Sequence, residues 1–158
     1  MAGMPVPEFI VDLRRRIGHD LLWLPAVTAV VVEDGSVLLV RRADNGRWAP
    51  VTGILEPGEQ PAAGAVREVE EETRVVARVE RLAAVGTTDV VVHANGDRAQ
   101  YLDVTFRCAY VSGDAAVGDD ESLEVAWFGA DALPPMNEEV RERVRHALSG
   151  GDEVVFST

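Results

Sequence analysis

Residues 53–75 read GILEPGEQPAAGAVREVEEETRV, and their pattern shapes the interpretation of the whole chain. The first half is a loop with glycine and proline. Pro61 then suits the first turn of a helix, where the missing N–H leaves no hydrogen bond unmade. Beyond it a stripe of small and apolar side chains recurs at helical spacing: Ala62, Ala65, Val66, Val69 and Thr73. We therefore predict a loop and then an amphipathic helix over residues 61–73 that packs on a sheet.

The last turns of this predicted helix carry an unusual concentration of negative charge, from Glu68, Glu70, Glu71 and Glu72. An anion near a helix C-terminus costs about 0.3–1 kcal/mol, and like charges four residues apart add to that cost. A bound cation would offset this repulsion. Oxygen ligands without nearby Cys or His favour Mg²⁺ or Mn²⁺ over zinc. A solvated acidic helix face is the alternative interpretation.

Strands are predicted on both sides of the helix. Residues 26–32 and 37–40 are apolar, β-branched runs, and the Asp34-Gly35 pair between them predicts a hairpin turn. Asn95-Gly96 predicts a second hairpin turn. The further predicted strands are residues 75–85, 89–93, 100–111 and 124–128, with an acidic loop over 113–121.

Two more helices are expected near the ends of the chain. Residues 7–17 have apolar side chains at helical spacing, and Gly18 is expected to end this helix. The second predicted helix spans residues 137–148, with Asn137 as its N-cap. We predict three segments: an N-terminal helix and lead-in over 1–24, a main domain over 25–149, and a loose tail over 150–158. No repeat or linker divides the main domain, so the expected fold is α/β with a helix on each side of a mixed sheet.

Composition excludes several classes of function. The net charge of −12 disfavours binding to DNA or an anionic membrane. No apolar run approaches the ~20 residues of a membrane helix, and charged residues interrupt the N-terminus, so we expect a cytoplasmic protein. The single cysteine, Cys108, lies in an apolar strand and is expected to be a buried side chain and not a nucleophile. The N-terminal helix is expected to cap the sheet or to contact a partner subunit in a homodimer.

Residues 53–75 resemble the Nudix box, whose pattern is G-x5-E-x7-R-E-U-x-E-E-x-G-U with U apolar. Eight of the nine specified positions agree, and the ninth, normally glycine, is Arg74. The resemblance implies an α/β/α sandwich and divalent-metal-dependent hydrolysis of a diphosphate linkage by water. Arg74 would have to adopt the left-handed conformation at a cost of about 1 kcal/mol, unless the helix is capped in another way.

The resemblance also implies roles for residues of the box. Glu68 and Glu72 would be the main metal ligands, Glu71 a further ligand or the base for the attacking water, and the Thr52 carbonyl a further ligand. Glu59 and Arg67 resemble an ion pair that orients Glu68, although a surface salt bridge is the alternative. Gly53 and Gly58 would allow the loop backbone to approach the diphosphate.

Outside the Nudix box, the expected roles rest on single residues and not on a motif. Arg42, at a strand end, resembles an arginine that holds substrate phosphate, and a solvated arginine is nearly as good an interpretation. Glu121 and Glu124 flank the last loop, and we select Glu124 as the extra metal ligand. Asn137 resembles a residue that contacts the substrate's base, although its role as an N-cap accounts for it equally well.

The predicted function is hydrolysis of a diphosphate linkage in a small nucleotide substrate, such as a nucleoside triphosphate or an ADP-ribose-like compound. A non-catalytic nucleotide sensor on the same fold is the main alternative, and Arg74 is the feature that favours it. Hydrolysis of the RNA 5′ end is a third possibility, and the charge of −12 disfavours it because RNA-binding surfaces are usually basic.

Overall fold

Three helices and one mixed sheet of eight strands make up most of the computed structural model, which describes residues 6–158. The helices are α1 (Glu8–Ile17), α2 (Pro61–Thr73) and α3 (Glu138–Leu148). The strands are β1 (Leu22–Glu33), β2 (Ser36–Arg42), β3 (Trp48–Ala49), β4 (Val51–Ile54), β5 (Val76–Thr87), β6 (Val91–Val92), β7 (Arg98–Ser112) and β8 (Ser122–Gly129).

The sheet is organised around β1. Its main path runs β3-β2-β1-β7-β5, while β4 pairs with β1, β6 with β7 and β8 with β2. The β1–β7 pair is parallel and the other pairs are antiparallel, as expected for a mixed sheet. Because β4 leads directly into the loop before α2, its pairing with β1 fixes the position of that loop against the sheet.

Alternating side chains of the central strands form a core on each face of the sheet. On one face, Val27 and Val31 of β1 pack with Ala65 and Val69 of α2. On the other, Val30 packs in a cluster with Val144 and Ala147 of α3. The helices therefore cover opposite faces, which confirms the predicted α/β/α sandwich.

The helices and both hairpins predicted from the sequence are confirmed, with small differences in length. The loop predicted over residues 45–58 contains β3 and β4, which Pro50 separates. Proline lacks the N–H that a continuous strand would need, so one run is divided into two short strands.

The prediction of a loose tail is wrong at Val155. This residue forms a parallel bridge with Ala84 of β5; its N–H donates to the Ala83 carbonyl at 2.9 Å, and its own carbonyl accepts from Val85 N–H at 3.0 Å. A segment with few apolar residues can still be held in place by main-chain hydrogen bonds to a sheet edge, which the hydrophobic pattern does not reveal.

The helix α1 lies within the predicted N-terminal segment, of which residues 1–5 fall outside the described part of the chain. Gly18 ends it at a φ of 60°, with its N–H donating to the Arg14 carbonyl, as the sequence predicted. Across residues 6–158, no helix combines the length and apolar character needed to cross a membrane.

Candidate active site

Two buried glutamates of α2 and one from a distant loop meet at the edge of the sheet. Glu68 and Glu72 lie one turn apart and are only 8% and 4% exposed. Glu121, immediately before β8, joins them, and one carboxylate oxygen from each of the three lies within 4.8 Å of the others. The carboxylate cluster, as we call Glu68, Glu72 and Glu121, therefore surrounds a common point.

Gly53 of β4 provides the space in which Glu68 sits. A β-carbon on Gly53 would lie 2.2 Å from Cδ of Glu68, a distance at which one of the two groups must move. The absence of a side chain is thus required by close packing against the glutamate. The sequence predicted a close approach of backbone to substrate at this glycine, and the structure adds the contact with Glu68.

Burial among like charges disfavours ionisation of the cluster. Desolvation raises the pKa of Glu68 to about 7, even though the adjacent Arg67 acts to lower it. The pKa of Glu72 is raised further, first by desolvation and then by its hydrogen bond with Glu121 and the charges around it. Three carboxylates in this position need an added positive charge if all are to be ionised near neutral pH.

Arg67 connects the loop before α2 to the cluster. Its guanidinium makes a two-pronged contact with Glu59, at 2.7 Å from Nε and 2.8 Å from Nη2. Nη1 donates to Glu68 at 2.9 Å and to Glu71 at 3.1 Å. The Glu59 and Arg67 contact expected from the resemblance is present, and because it is bidentate and reaches Glu68, it is more than an isolated surface salt bridge.

Glu71 differs from its neighbours in being accessible. Its side chain is 53% exposed, compared with 10% for the side chain of Glu68. It lies outside the carboxylate cluster but shares Arg67 with Glu68. An exposed carboxylate anchored beside buried ones is accessible to a water molecule, as a general base must be.

The C-terminal end of α2 is closed in two ways. Arg74 adopts the left-handed conformation, with φ 61° and ψ 10°, and its N–H donates to the Glu70 carbonyl. The acidic loop supplies a second cap: Ala116 N–H donates to the Thr73 carbonyl at 3.0 Å, and Gly118 N–H donates to the Glu72 carbonyl at 2.9 Å. These bonds hold the loop that carries Glu121 against the helix that carries Glu72.

Arg42 lies at the end of β2, next to the cluster. It donates to both carboxylate oxygens of Asp44, at 3.0 and 2.7 Å, and to the Thr52 hydroxyl at 3.0 Å. Burial disfavours its charged form, but Asp44 and the charges of Glu72 and Glu121 outweigh this effect and raise the pKa of Arg42. The expected phosphate-binding arginine is therefore a permanent cation adjacent to the carboxylates.

Three other predicted site residues are not members of the carboxylate cluster. Glu124 is on β8 and pairs across the strands with Arg41 at 2.7 Å, so the selection of Glu124 as the residue beside the other carboxylates requires correction to Glu121. Gly58 occupies an exposed turn with φ 83° that leads into Glu59. Asn137 is exposed, and its side chain accepts from Glu139 N–H at 2.9 Å, which confirms its role as an N-cap.

A cavity of about 140 Å³ opens onto this site. Its lining joins Glu68, Glu121, Gly53 and Asp44 to residues of α1 and of the β6–β7 hairpin. The apolar part of its lining comprises Val6, Pro7, Ile10, Leu24, Ile54 and Ala99, and its other polar residues are Arg14, His93, Asn95, Asp97 and Tyr101. Charged oxygen atoms therefore lie at one part of the cavity and apolar surface at another.

The carboxylate cluster fits a hard divalent cation. Its ligand atoms are all carboxylate oxygens, and they converge from two parts of the chain, α2 and the loop before β8. Glu121 could not be identified by spacing, since 47 residues, 74–120, separate it from the end of α2. The one available signal was its position just before the last predicted strand.

Comparison with known proteins gives consistent results. A family model described as the NUDIX domain matches residues 23–148. A MutT-like protein of Streptomyces ambofaciens is 38% identical over 134 residues, covering 84% of this chain and 81% of that protein. The NAD-capped RNA hydrolase NudC of Pseudomonas aeruginosa is 32% identical over 126 residues, which cover 78% of this chain but only 42% of that protein.

A solved structure of a UDP-X diphosphatase superposes with a TM-score of 0.68 and 26% identity, covering 97% of this chain and 77% of that one. Sequence and fold thus agree over the region that contains the carboxylate cluster and the Glu59 and Arg67 pair. With a family model matched over most of its length, the chain belongs to the Nudix hydrolase family.

Proposed function

We propose that this Nudix hydrolase cleaves the diphosphate linkage of a nucleoside diphosphate derivative or nucleotide by attack of water at phosphorus. One observation carries the proposal: three carboxylates, two of them buried on α2, converge at the mouth of a cavity. A cluster of this kind is costly to bury and serves no packing purpose, so its presence points to a function that uses it.

The carboxylates of Glu68, Glu72 and Glu121 would hold Mg²⁺, or Mn²⁺ in its place, with the Thr52 carbonyl as a further ligand. When bound, the ion would neutralise phosphate oxygens and lower the pKa of a coordinated water. Glu121 takes the place that the sequence interpretation gave to Glu124. Mg²⁺ usually combines a few protein carboxylates with substrate phosphate oxygens, which suits a site open to a cavity.

Other residues of the chain would position the reactants. The Arg67 guanidinium, held by Glu59, fixes the carboxylate of Glu68, so these two act as positioning residues. Arg42 would bind a phosphate oxygen in exchange for part of its contact with Asp44. The backbone at Gly53 and Gly58 would leave room for the diphosphate.

Glu71 is the best candidate for the general base. The water oxygen would form a bond to one phosphorus while the bond from that phosphorus to the bridging oxygen breaks. The electron pair leaves with the second phosphate, and the water proton passes to the Glu71 carboxylate and then to solvent. For a diphosphate joining two groups, the products are two phosphate monoesters.

The names of similar proteins support a substrate in which a diphosphate joins a nucleoside to another group. One relative is named for hydrolysis of NAD-capped RNA and one solved structure for cleavage of UDP-X. ADP-ribose-like compounds and nucleoside triphosphates both belong to the proposed class. The charge of −12 favours a small substrate over a capped RNA. We propose a cytoplasmic location, and the homodimer expected from α1 stays a prediction.

The test is a panel of ADP-ribose, NAD, UDP-glucose and nucleoside triphosphates incubated with Mg²⁺, with and without a chelator. Glu72→Gln should reduce kcat by at least ~100-fold and weaken Mn²⁺ binding, because it removes one buried ligand. Glu70→Gln is the matched control, since Glu70 is on the same helix but exposed, and it should behave as wild type.

Turnover in the presence of chelator, or full activity of Glu72→Gln, would contradict the proposed role of the cluster. Tight binding of a panel member without turnover by the wild-type protein would favour the alternative of a nucleotide sensor. Retained Mn²⁺ affinity in Glu72→Gln would show that the cluster is not the metal site.

A further inference from the structure

The helix α1 precedes the region matched by the family model, which begins at residue 23. It is nevertheless anchored to the main domain. Arg14 donates to the Arg98 carbonyl at 2.7 Å and lies 3.6 Å from the Asp97 carboxylate. His19, just after the helix, contacts Asp97 at 2.7 Å. These contacts attach α1 to the tip of the β6–β7 hairpin.

The same helix forms part of the wall of the cavity at the carboxylate cluster. Ile10 is the buried residue of α1, at 5% exposure, and it lines the cavity together with Pro7 and Arg14. Glu68 lines the same cavity. An element added outside the family domain therefore limits what can occupy the space beside the diphosphate site.

Tyr101 of β7 presents an unused polar group to this cavity. Its side chain is half-buried, and its hydroxyl has no hydrogen-bond partner among residues 6–158. Burial raises the pKa of Tyr101, although Arg42 and Arg14 act against this, so the phenol keeps its proton at neutral pH. Because Tyr101 lines the cavity, its hydroxyl is positioned to form a hydrogen bond with a ligand bound there.

The chemistry of the cavity selects a small, uncharged ring. Its volume of about 140 Å³ is well below the ~300 Å³ at which pockets for drug-sized ligands begin, so it fits one ring system. Arg14 is already engaged by Asp97 and by three main-chain carbonyls, those of Gly18, Asp20 and Arg98, so it offers little to a second phosphate. The apolar side chains of the lining and the Tyr101 hydroxyl beside them match a flat heterocycle that has polar atoms at its edge.

We propose that α1 is a specificity element of this hydrolase, and that Ile10 and Tyr101 bind the nucleobase of the substrate. This inference rests on the proposed function for its biological meaning, because the cavity matters to catalysis only if the carboxylate cluster acts on the attached diphosphate. Ile10 supplies apolar contact to the ring, and the Tyr101 hydroxyl forms a hydrogen bond with its edge.

The first test needs no metal and no catalysis. The full chain is titrated with adenosine, guanosine, cytidine, uridine and ribose, and binding is followed by NMR. At least one nucleoside should shift the Ile10 methyl and Tyr101 ring signals, and ribose should not. Ile10→Ala and Tyr101→Phe should each lower the affinity for that nucleoside by roughly 10-fold or more. This is the range expected when a pocket loses a methylene contact or a hydrogen bond.

Two matched controls are available in the same elements. Val11→Ala changes the neighbouring residue of α1, which is 38% exposed, and Tyr110→Phe removes the other tyrosine hydroxyl of β7, which donates to the Gly113 carbonyl at 2.8 Å. Both should keep wild-type nucleoside affinity. If Ile10→Ala unfolds α1, Tyr101→Phe still decides the question, because that change leaves the ring in place.

A second measurement separates this inference from the proposed function. With Mg²⁺, Tyr101→Phe should raise KM for the preferred nucleotide by roughly 10-fold and leave kcat within about two-fold, since the ring lies away from the reacting phosphorus. Absence of hydrolysis by the wild type would refute the proposed function alone. Failure of all four nucleosides to bind, or equal effects of Tyr101→Phe and Tyr110→Phe on nucleoside affinity, would refute the role of α1 and Tyr101.

Discussion

Arg74 occupies a position that favours glycine. It ends α2 at a φ of 61°, where the side chain of an L-residue clashes with the backbone, and it is exposed. Arg74→Gly should therefore raise the free energy of unfolding by up to about 1 kcal/mol, which thermal melting would detect as a higher Tm. An unchanged or lower Tm would mean that the bonds from Ala116 and Gly118 already provide the cap on their own.

Gly53 is a residue on which the position of Glu68 depends. Gly53→Ala would place a methyl group 2.2 Å from Cδ of Glu68 and displace this carboxylate from the cluster. We expect weaker Mn²⁺ binding and a kcat at least ~10-fold lower, because the displaced carboxylate no longer faces the other two. Gly86→Ala is the control, because a β-carbon there meets open space. Wild-type metal binding by Gly53→Ala would show that Glu68 can move without consequence.

At the scale of elements, the C-terminal segment is part of the sheet. Removing residues 150–158 would break the two main-chain hydrogen bonds that Val155 makes with β5. Each is worth about 0.5–1.5 kcal/mol net, so we expect a loss of about 1–3 kcal/mol in chemical denaturation. Amide exchange of Val85, whose N–H donates to Val155, should accelerate in the truncated chain. Unchanged exchange would show that the segment contributes no lasting contact.

The junction between α2 and the acidic loop shows how elements depend on one another. A β-carbon on Gly118 would lie 2.1 Å from the Glu71 carbonyl oxygen, so the loop approaches the helix more closely than any other residue would allow. The carboxylate of Glu121 reaches Glu72 because of this close approach. The cluster is consequently a property of two elements packed together and not of the helix alone.

At the scale of the whole molecule, the cluster links stability to pH and to metal. The pKa of Glu68 is raised from 4.5 to about 7 in the folded protein, so folding takes up protons in this range. Without divalent cations, the contribution of Glu68 to the free energy of unfolding should be largest below pH 4.5. It should fall as the pH rises from 4.5 through 7. The contribution is on the order of 3 kcal/mol. Tm measured from pH 5 to 8 in chelator would reveal this decline.

Added Mg²⁺ should reverse the trend, because the ion binds deprotonated carboxylates and its stabilisation grows with pH. The variant carrying Glu68→Gln and Glu72→Gln should show a flatter profile and little response to Mg²⁺. A wild-type Tm that rises from pH 5 to 8 in chelator would contradict the burial of uncompensated charge at this site.

Much of the architecture could be predicted because it depends on local patterns. The stripe of small residues in α2 and the Asp34-Gly35 turn act within a few residues, and both predictions are confirmed. The contact of Arg67 with Glu59 was also expected, but from the resemblance to the Nudix box and not from local periodicity. Family resemblance extended these local rules to the sandwich as a whole.

Amino-acid sequence by itself determined which segments form helices and hairpins, the acidic character of the end of α2, and membership of a hydrolase family. Tertiary structure alone decided that Glu121 and not Glu124 meets Glu72, and that Ile10 and Tyr101 share a cavity with the carboxylate cluster. Helical and strand patterns arise from interactions between near neighbours in the chain. Contacts between distant residues depend on strand pairing and loop packing, which local periodicity does not specify.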